Sequence, residues 1–523
     1  MVSGVAGIDT NTVSQWAPST GTVRREPLLR QQPGWHRPEL PPKPKLSTPA
    51  RMMTWILVSV LCVLACWAVL VASVGGLRDG FATIGTRSGP NVQAAAHLYY
   101  DLADMDGQAA NVLLIGDETN LAETSASAYK AYEKDQADAN AQLEVIGSGI
   151  DAIPGAPTLF VSIENSLSQY SQDVSQAMYI DAQDHGQSAA QPPAAALAEY
   201  QTATALMHGT SSGVLVQAQS LINEDQSTVN DTYNSAFGTI GQLRLWGTLL
   251  GLLMLIVLVV VQSKLARTFN RRVNPLLALS TVFTLIFGIL LLSALGTAHS
   301  NYVVQKADAF DSVIALWQEQ AVSADMNASE SRWLLDFAGT SDQSAAAEAG
   351  EQTLFDAEAQ QVVGRATQAE SGADYAHDLE SAATSVARGQ DIASTGLSLG
   401  YLSTELSNLT FPGESGAATS ALSAYAVYIQ ADVQLRLDAQ AGGPRSVALA
   451  TAVTYDTGQS NQNFTTYVAD VNATLQINLT AFNAATTAGE NGLGPWLWMP
   501  VVWALLMAGL IVLGFLPRLR EYR

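Results

Sequence analysis

The chain has 523 residues, long enough for more than one domain, and a formal net charge of −22 from 25 basic and 47 acidic side chains. That balance argues against nucleic-acid binding, which needs a basic surface. The charges are placed very unevenly, and their placement organises everything that follows.

Residues 1–51 hold eight of the nineteen prolines, including the stretch PPKPK at 41–45, and show neither a helical nor a strand period. They read as a disordered, partly polyproline tail, with a docking site for a partner as the sharper alternative. Four uncharged apolar stretches then stand out: 52–76, 246–263, 276–297 and 495–516. Each is long enough to cross a bilayer, so each is predicted to be a transmembrane helix. The first is too long for the apolar core of a signal peptide and is read as a retained span. Cys62 and Cys66, the only cysteines, lie within it and read as packing residues.

Orientation follows from the bases. Seven lie before the first span, Lys264, Arg267, Arg271 and Arg272 lie in the 264–275 loop, and Arg518, Arg520 and Arg523 lie in the 517–523 tail. Only four acids accompany these fourteen bases, which leaves 11 basic and 43 acidic residues for the two long segments. Both termini and the short basic loop are therefore expected in the cytoplasm, and the segments 77–245 and 298–494 outside.

The first long segment reads as helical throughout. Leu98, Leu102, Met105, Ala109 and Val112 make a heptad seam, and Tyr100, Ala103, Gly107, Ala110 and Leu114 make a second beside it. Two adjacent seams give the wide apolar stripe of a bundle helix. Further helices are predicted over about 120–147, 156–182 and 193–245, separated by Gly116, the 152–157 stretch and Pro192–Pro193.

The second long segment repeats the scheme. Its first helix carries the seam Ile314, Trp317, Ala321, Ala324, Ala328, Ser331 and Leu335. Later helices are predicted over 343–370, 373–396, 415–441 and 444–487, with a loop at TFPGESG, 410–416. The words ADMDGQAANVLL at 103–114 and ADMNASESRWLL at 324–335 align without a gap at an offset of 221. Ala103, Asp104, Met105, Leu113 and Leu114 match Ala324, Asp325, Met326, Leu334 and Leu335, at the same seam positions after an outward-going span. The expectation is a tandem duplication of one unit: span, outer bundle, returning span. These ten residues are read as setting bundle register, with Asp104 and Asp325 as solvated flanks of the seam or, alternatively, as polar contacts that set register or bind a partner.

The sequence carries no nucleotide-binding glycine motif, no HExxH and no nucleophile or metal pattern among its six scattered histidines. No cofactor is expected. The spans contain no ionisable acid or base, which argues against a pump or carrier. The expected cytoplasmic pieces are too small to bury a core, so no intracellular catalytic domain is expected. The joints between spans and bundles differ. Gly75–Gly76 is read as the first, Phe237–Leu245 as a nearly unbroken second, and AGENGLGPW at 488–496 as a true break before the last span.

The stretch HLYYDLADMDGQAANVLLIG at 97–116, and to a lesser degree YIQADVQLRLDAQAGGPRSVALATA at 428–452, resembles the GlnX-like actinobacterial membrane proteins. The four-span layout with two outer helical domains is similar too, over about 52–516. The resemblance implies a relay between an extracytoplasmic amino-acid-binding lipoprotein and a cytoplasmic serine/threonine kinase. The expected fold is thus all-α, with four transmembrane helices and two extracytoplasmic helical-bundle domains in tandem repeat. The expected function is a non-enzymatic transmembrane signalling relay, with a homodimer left open. Two other readings stand beside it: a direct small-molecule sensor, which would need a pocket in a bundle, and a structural scaffold.

Overall fold

Uncharged runs of leucine, valine and isoleucine leave the backbone no partner in lipid but itself, and a helix satisfies every interior N–H and C=O. In the computed structural model four helices are long and apolar enough to cross a membrane, as expected of a multi-pass membrane protein. The structure describes residues 48–149, 155–184, 189–269, 274–339, 342–365, 372–442, 450–451 and 454–520. Residues 52–523 form one compact unit. The PPKPK tail stretch, Arg271, Arg272, His185 and Arg523 lie outside the described residues.

Helix α1, Thr48–Ala82, is the first span. It passes through a π-helical turn, Thr83–Ser88, directly into α2, Gly89–Ile115. Then follow α3, Ser125–Gly149, α4, Ala156–Asp181, and α5, Ala194–His208. Helix α6, Val214–Phe269, runs without a break through the second span. Helix α7, Pro275–Val303, is the third span, and another π turn, Val304–Phe310, carries it into α8, Asp311–Ala338. Beyond lie α9, Asp342–Val362, α10, Gly372–Ala387, the single turn α11, Tyr401–Leu406, and α12, Glu414–Gln440. Helix α13, Ser460–Leu493, leads through a 3-10 turn, Gly494–Leu497, to the last span, α14, Met499–Arg520. Among the described residues there is no strand, only one isolated bridge between Gly364 and Leu399.

Most expected helices are found, with differences: the expected 373–396 helix ends at Ala387, with a separate 3-10 turn at Ile392–Thr395, and the expected 444–487 helix is interrupted by a turn at 456–459 before α13 begins. The 193–245 stretch is two helices, parted at Gly209–Gly213. The expected joint at Gly75–Gly76 is ordinary helix, with open space around both residues, and the irregularity comes at Thr83–Ser88 instead. A π turn accommodates one extra residue within an unbroken helix, so no breaker residue announces it. The turn α11 was unforeseen, because six residues are too few to show a period. The loop before α12 is as read: Gly413 takes φ 89°, a conformation suited to glycine, and Glu414 accepts a hydrogen bond from the Phe411 amide at 2.7 Å.

The spans pack through Val63, Met254, Leu258, Leu277, Met507, Ile511 and Phe515, with Phe287 stacked on Trp503. Their outward faces expose Leu57, Leu61, Ile256, Ile289 and Leu505, the pattern of a surface solvated by lipid. Where the spans end, Phe81 stacks on Tyr302 at 3.7 Å, and Gln305 of the second π turn donates to Thr486 on α13 at 2.7 Å. Above this ring, the two long segments do not keep separate cores. One hydrophobic cluster runs through both, from Leu98 and Tyr170 to Leu316 and Tyr467. Its axis is the packing of α2 against α8.

A buried ion cluster at the crossing of the two repeat helices

Small seam residues let α2 and α8 approach closely. Gly107 lies against Ala328, and a methyl group placed on Gly107 would come within 2.8 Å of the Ala328 Cβ. The eight apolar residues of the repeated words, Ala103, Met105, Leu113, Leu114, Ala324, Met326, Leu334 and Leu335, are all buried in the shared core. The two repeat aspartates part company. Asp104 is half-buried and accepts a hydrogen bond from Gln108 at 3.2 Å. Asp325 is 1% exposed, which corrects the expectation of a solvated flank.

Asp325 is buried because Arg332 stands two turns along the same face of α8, at the i, i+7 spacing that brings side chains into line. The Arg332 guanidinium is itself 1% exposed and reaches three carboxylates. Its Nη2 donates to Asp325 Oδ1 at 3.0 Å, its Nη1 to Asp106 Oδ2 of α2 at 3.0 Å, and its Nε to Glu351 Oε2 of α9 at 2.8 Å. The planar fork with several fixed N–H directions makes this possible, which a lysine could not reproduce. Asp106 collects further partners from the first segment. Tyr170 of α4 donates to its Oδ1 at 2.8 Å, Tyr200 of α5 lies 3.3 Å from the same oxygen, and His208 Nε2 lies 3.2 Å from Oδ2. The other ring nitrogen of His208 is 3.6 Å from Asp325.

The electrostatics follow from burial set against pairing. Burial alone would raise the Asp106 carboxyl, but the His208 hydrogen bond and the Arg332 charge outweigh it and hold it below the usual range. Asp325 is likewise held low against its burial by His208 and Arg332. For His208, burial opposes the charge, yet Asp325 and Asp106 raise its pKa. As the last residue of α5, it also stands where the helix dipole favours a cation. Glu358 of α9 is pushed well up, by burial first and then by Asp325, which favours its protonated form. Arg332 and His208 therefore face the acidic groups of Asp106, Asp325 and Glu351 within a largely buried interface.

A second buried network lies in the second segment. Arg436 pairs with Asp432 four residues before it at 2.8 Å and sits over the rings of Trp333 and Phe355 at 4.8 and 4.7 Å. Both residues belong to the 428–452 stretch singled out in the sequence.

Sequence reasoning missed Asp106, Arg332, His208, Tyr170, Tyr200, Glu351 and Glu358. One signal was available: Arg332 falls inside a repeated seam word, seven residues after Asp325, in a segment with only six bases. Of the basic loop, Lys264 and Arg267 are exposed at the end of α6.

The arrangement defines a class: a multi-pass helical membrane protein whose long segments are joined by buried charges. Residues 80–234 match the family model described as the actinobacterial sensor domain. The match begins just before the first π turn, holds Asp106, Tyr170, Tyr200 and His208, and ends within α6, supporting a protein of actinobacterial sensor type. No curated protein and no solved structure matches the chain.

Proposed function

We propose that this chain is a non-enzymatic transmembrane signalling relay built from two copies of one span–bundle–span unit. Its termini and the 264–275 loop face the cytoplasm, and its two long segments face outside. In this reading an extracytoplasmic solute-binding lipoprotein that senses an amino acid acts on the outer bundles, and a cytoplasmic serine/threonine kinase receives the output.

The observation that carries the reading is the continuity of two spans with the two helices that meet at Arg332. The π turns at Thr83–Ser88 and Val304–Phe310 begin 221 residues apart, the offset of the repeated words. Each joins a span to one partner of the α2–α8 crossing, so a change at the crossing has a stiff route to the inner face. Signalling transitions use helix shifts of about 1–2 Å, and π turns recur at functional sites in helices. The sensor-domain match to 80–234 supports a sensing role for the first bundle.

Output must leave through the inner segments. Deleting residues 1–44, with 45–51 replaced by an equally basic Gly/Ser linker, preserves the insertion signal. The expected result is a normal membrane level with loss of kinase co-purification or of the amino-acid response. If both persist, and also persist when Lys264, Arg267, Arg271 and Arg272 are changed together to Gln with topology verified, the relay reading is wrong. A scaffold then describes the chain better.

A further inference from the structure

The crossing at Gly107 and Ala328 has two sides, and they differ. An offset of 221 pairs Asp104 with Asp325, Asp106 with Asn327, Gly107 with Ala328 and Asn111 with Arg332. On one side Arg332 fills the space between Asp106 and Asp325. On the other, the counterpart of the arginine is Asn111, three atoms shorter in reach and uncharged. Its neighbours there are the counterparts Asp104 and Asn327, and all three line one cavity of about 430 Å³.

The polar groups in that cavity are incompletely satisfied. Asn111 is 6% exposed, and its Nδ2 is spent on Gln108 Oε1 at 3.3 Å, which leaves its buried Oδ1 without a partner. The buried Oδ1 of Asn327 has none either. A buried acceptor left unpaired is costly, so a pair of them beside an opening marks a place for a donor-rich guest. Asp104 and Glu123 add carboxyl groups to the same wall, and among the described residues no lysine or arginine lines it.

We propose that the cavity bounded by Asp104, Asn111 and Asn327 binds a small organic cation, whose guanidinium or ammonium group takes the place that Arg332 occupies across the crossing. The cation donates to the two free amide oxygens and faces the Asp104 carboxylate. The cavity is within the size range of small-molecule sites, from about 300 Å³ upward. An amino-acid-sized amine fits the space, and an anion would face the Asp104 and Glu123 carboxyl groups. The proposal deepens the signalling reading and rests on it only for consequence, since binding at the α2–α8 crossing would bias the same helices.

The test uses the full chain in lipid nanodiscs and isothermal titration calorimetry with agmatine, arginine and putrescine as probes and glutamate as the anionic control. Saturable binding of at least one cation and none of glutamate is expected. Asp104→Asn should weaken that binding at least tenfold. Asn111→Arg places a tethered guanidinium in the cavity, so it should abolish binding while raising the melting temperature. The rise separates an occupied site from a misfolded chain. No binding by any of the three cations up to millimolar concentration would overturn the proposal. So would equal binding of glutamate, or binding that survives both substitutions. The titration needs no kinase or lipoprotein, so its failure and the failure of the relay are read independently.

Discussion

Gly107 of α2 rests on Ala328 of α8, and the two stand 221 residues apart, the spacing of the repeated words. The same offset thus relates the sequence words, the π turns and the two residues at the point of closest helix approach. A side chain at Gly107 has nowhere to go, since even a methyl would meet the Ala328 Cα at 3.0 Å. Gly107→Leu is therefore expected to destabilise the chain by about 1–3 kcal/mol or more through overpacking. Gly350, inside α9 with nothing within 4 Å of its missing Cβ, is the control. Gly350→Ala should stabilise by about 0.5–1 kcal/mol, because only the helix preference changes there. Thermal melts of the two variants in nanodiscs check both signs.

Removing Arg332 leaves Asp106, Asp325 and Glu351 facing one another. Breaking a buried pair by deleting one partner costs about 3–5 kcal/mol, and Arg332→Met is expected to fall in that range. Adding Asp106→Asn should recover part of the loss, because it removes one of the stranded charges. A double-mutant cycle on unfolding free energy reads this coupling. Strict additivity would mean that the two groups do not interact.

The buried acids give a pH dependence of definite sign. Burial raises Asp101, Asp135, Asp225 and Asp336 from 3.8 to about 7, and Glu319 and Glu405 from 4.5 to about 8. A raised acid holds its proton in the fold where the unfolded chain has lost it. Its contribution is complete below the unfolded value and is lost as pH rises through the folded one. His208, also raised, acts in the same direction above its unfolded 6.5. Asp106 and Asp325, held low, act oppositely and lose their contribution only as pH falls below 3.8. The melting temperature should therefore peak near pH 4 and fall steadily towards pH 8. A melting temperature that rises from pH 6 to 8 would contradict these assignments.

Sidedness is tested by labelling. With Cys62 and Cys66 replaced, single cysteines at Ser127 and Ser385 are expected to react with membrane-impermeant reagents in intact cells, and one at Ser263 is not. The opposite pattern would invert the topology.

Much of the architecture was legible in the sequence, for identifiable reasons. The spans show because charge is excluded from them, and the bundle helices show because their seams recur every three and four residues. The break before the last span was announced by glycine and proline at 488–496. The cluster was not legible, because hydrophobic periodicity scores a buried ion as a surface residue. Asp325 and Arg332 occupy seam flanks, and only the fold shows that Asp106, from the other segment, closes over them. Asp104, its repeat counterpart, is only half-buried, so identical sequence words led to one wrong expectation and not two. The Gly75–Gly76 joint failed for a different reason. Gly75 and Gly76 stand within ordinary helix, whereas the π turn at Thr83–Ser88 brings Gly85 against Thr486.

The central claim is that the α2–α8 crossing is mechanically coupled to the inner ends of the spans. Spin labels at Met53 on α1 and Leu279 on α7, both exposed on lipid-facing surfaces, report the distance between those ends in a chain with Cys62 and Cys66 replaced. Double electron–electron resonance on the full chain in nanodiscs is then compared with the same chain carrying Arg332→Met and Asp106→Asn. The account predicts a shift of the distance distribution by about 1–2 Å, the scale of signalling helix movements. An unchanged distribution, in a variant whose melting temperature shows that the crossing has been loosened, would contradict it.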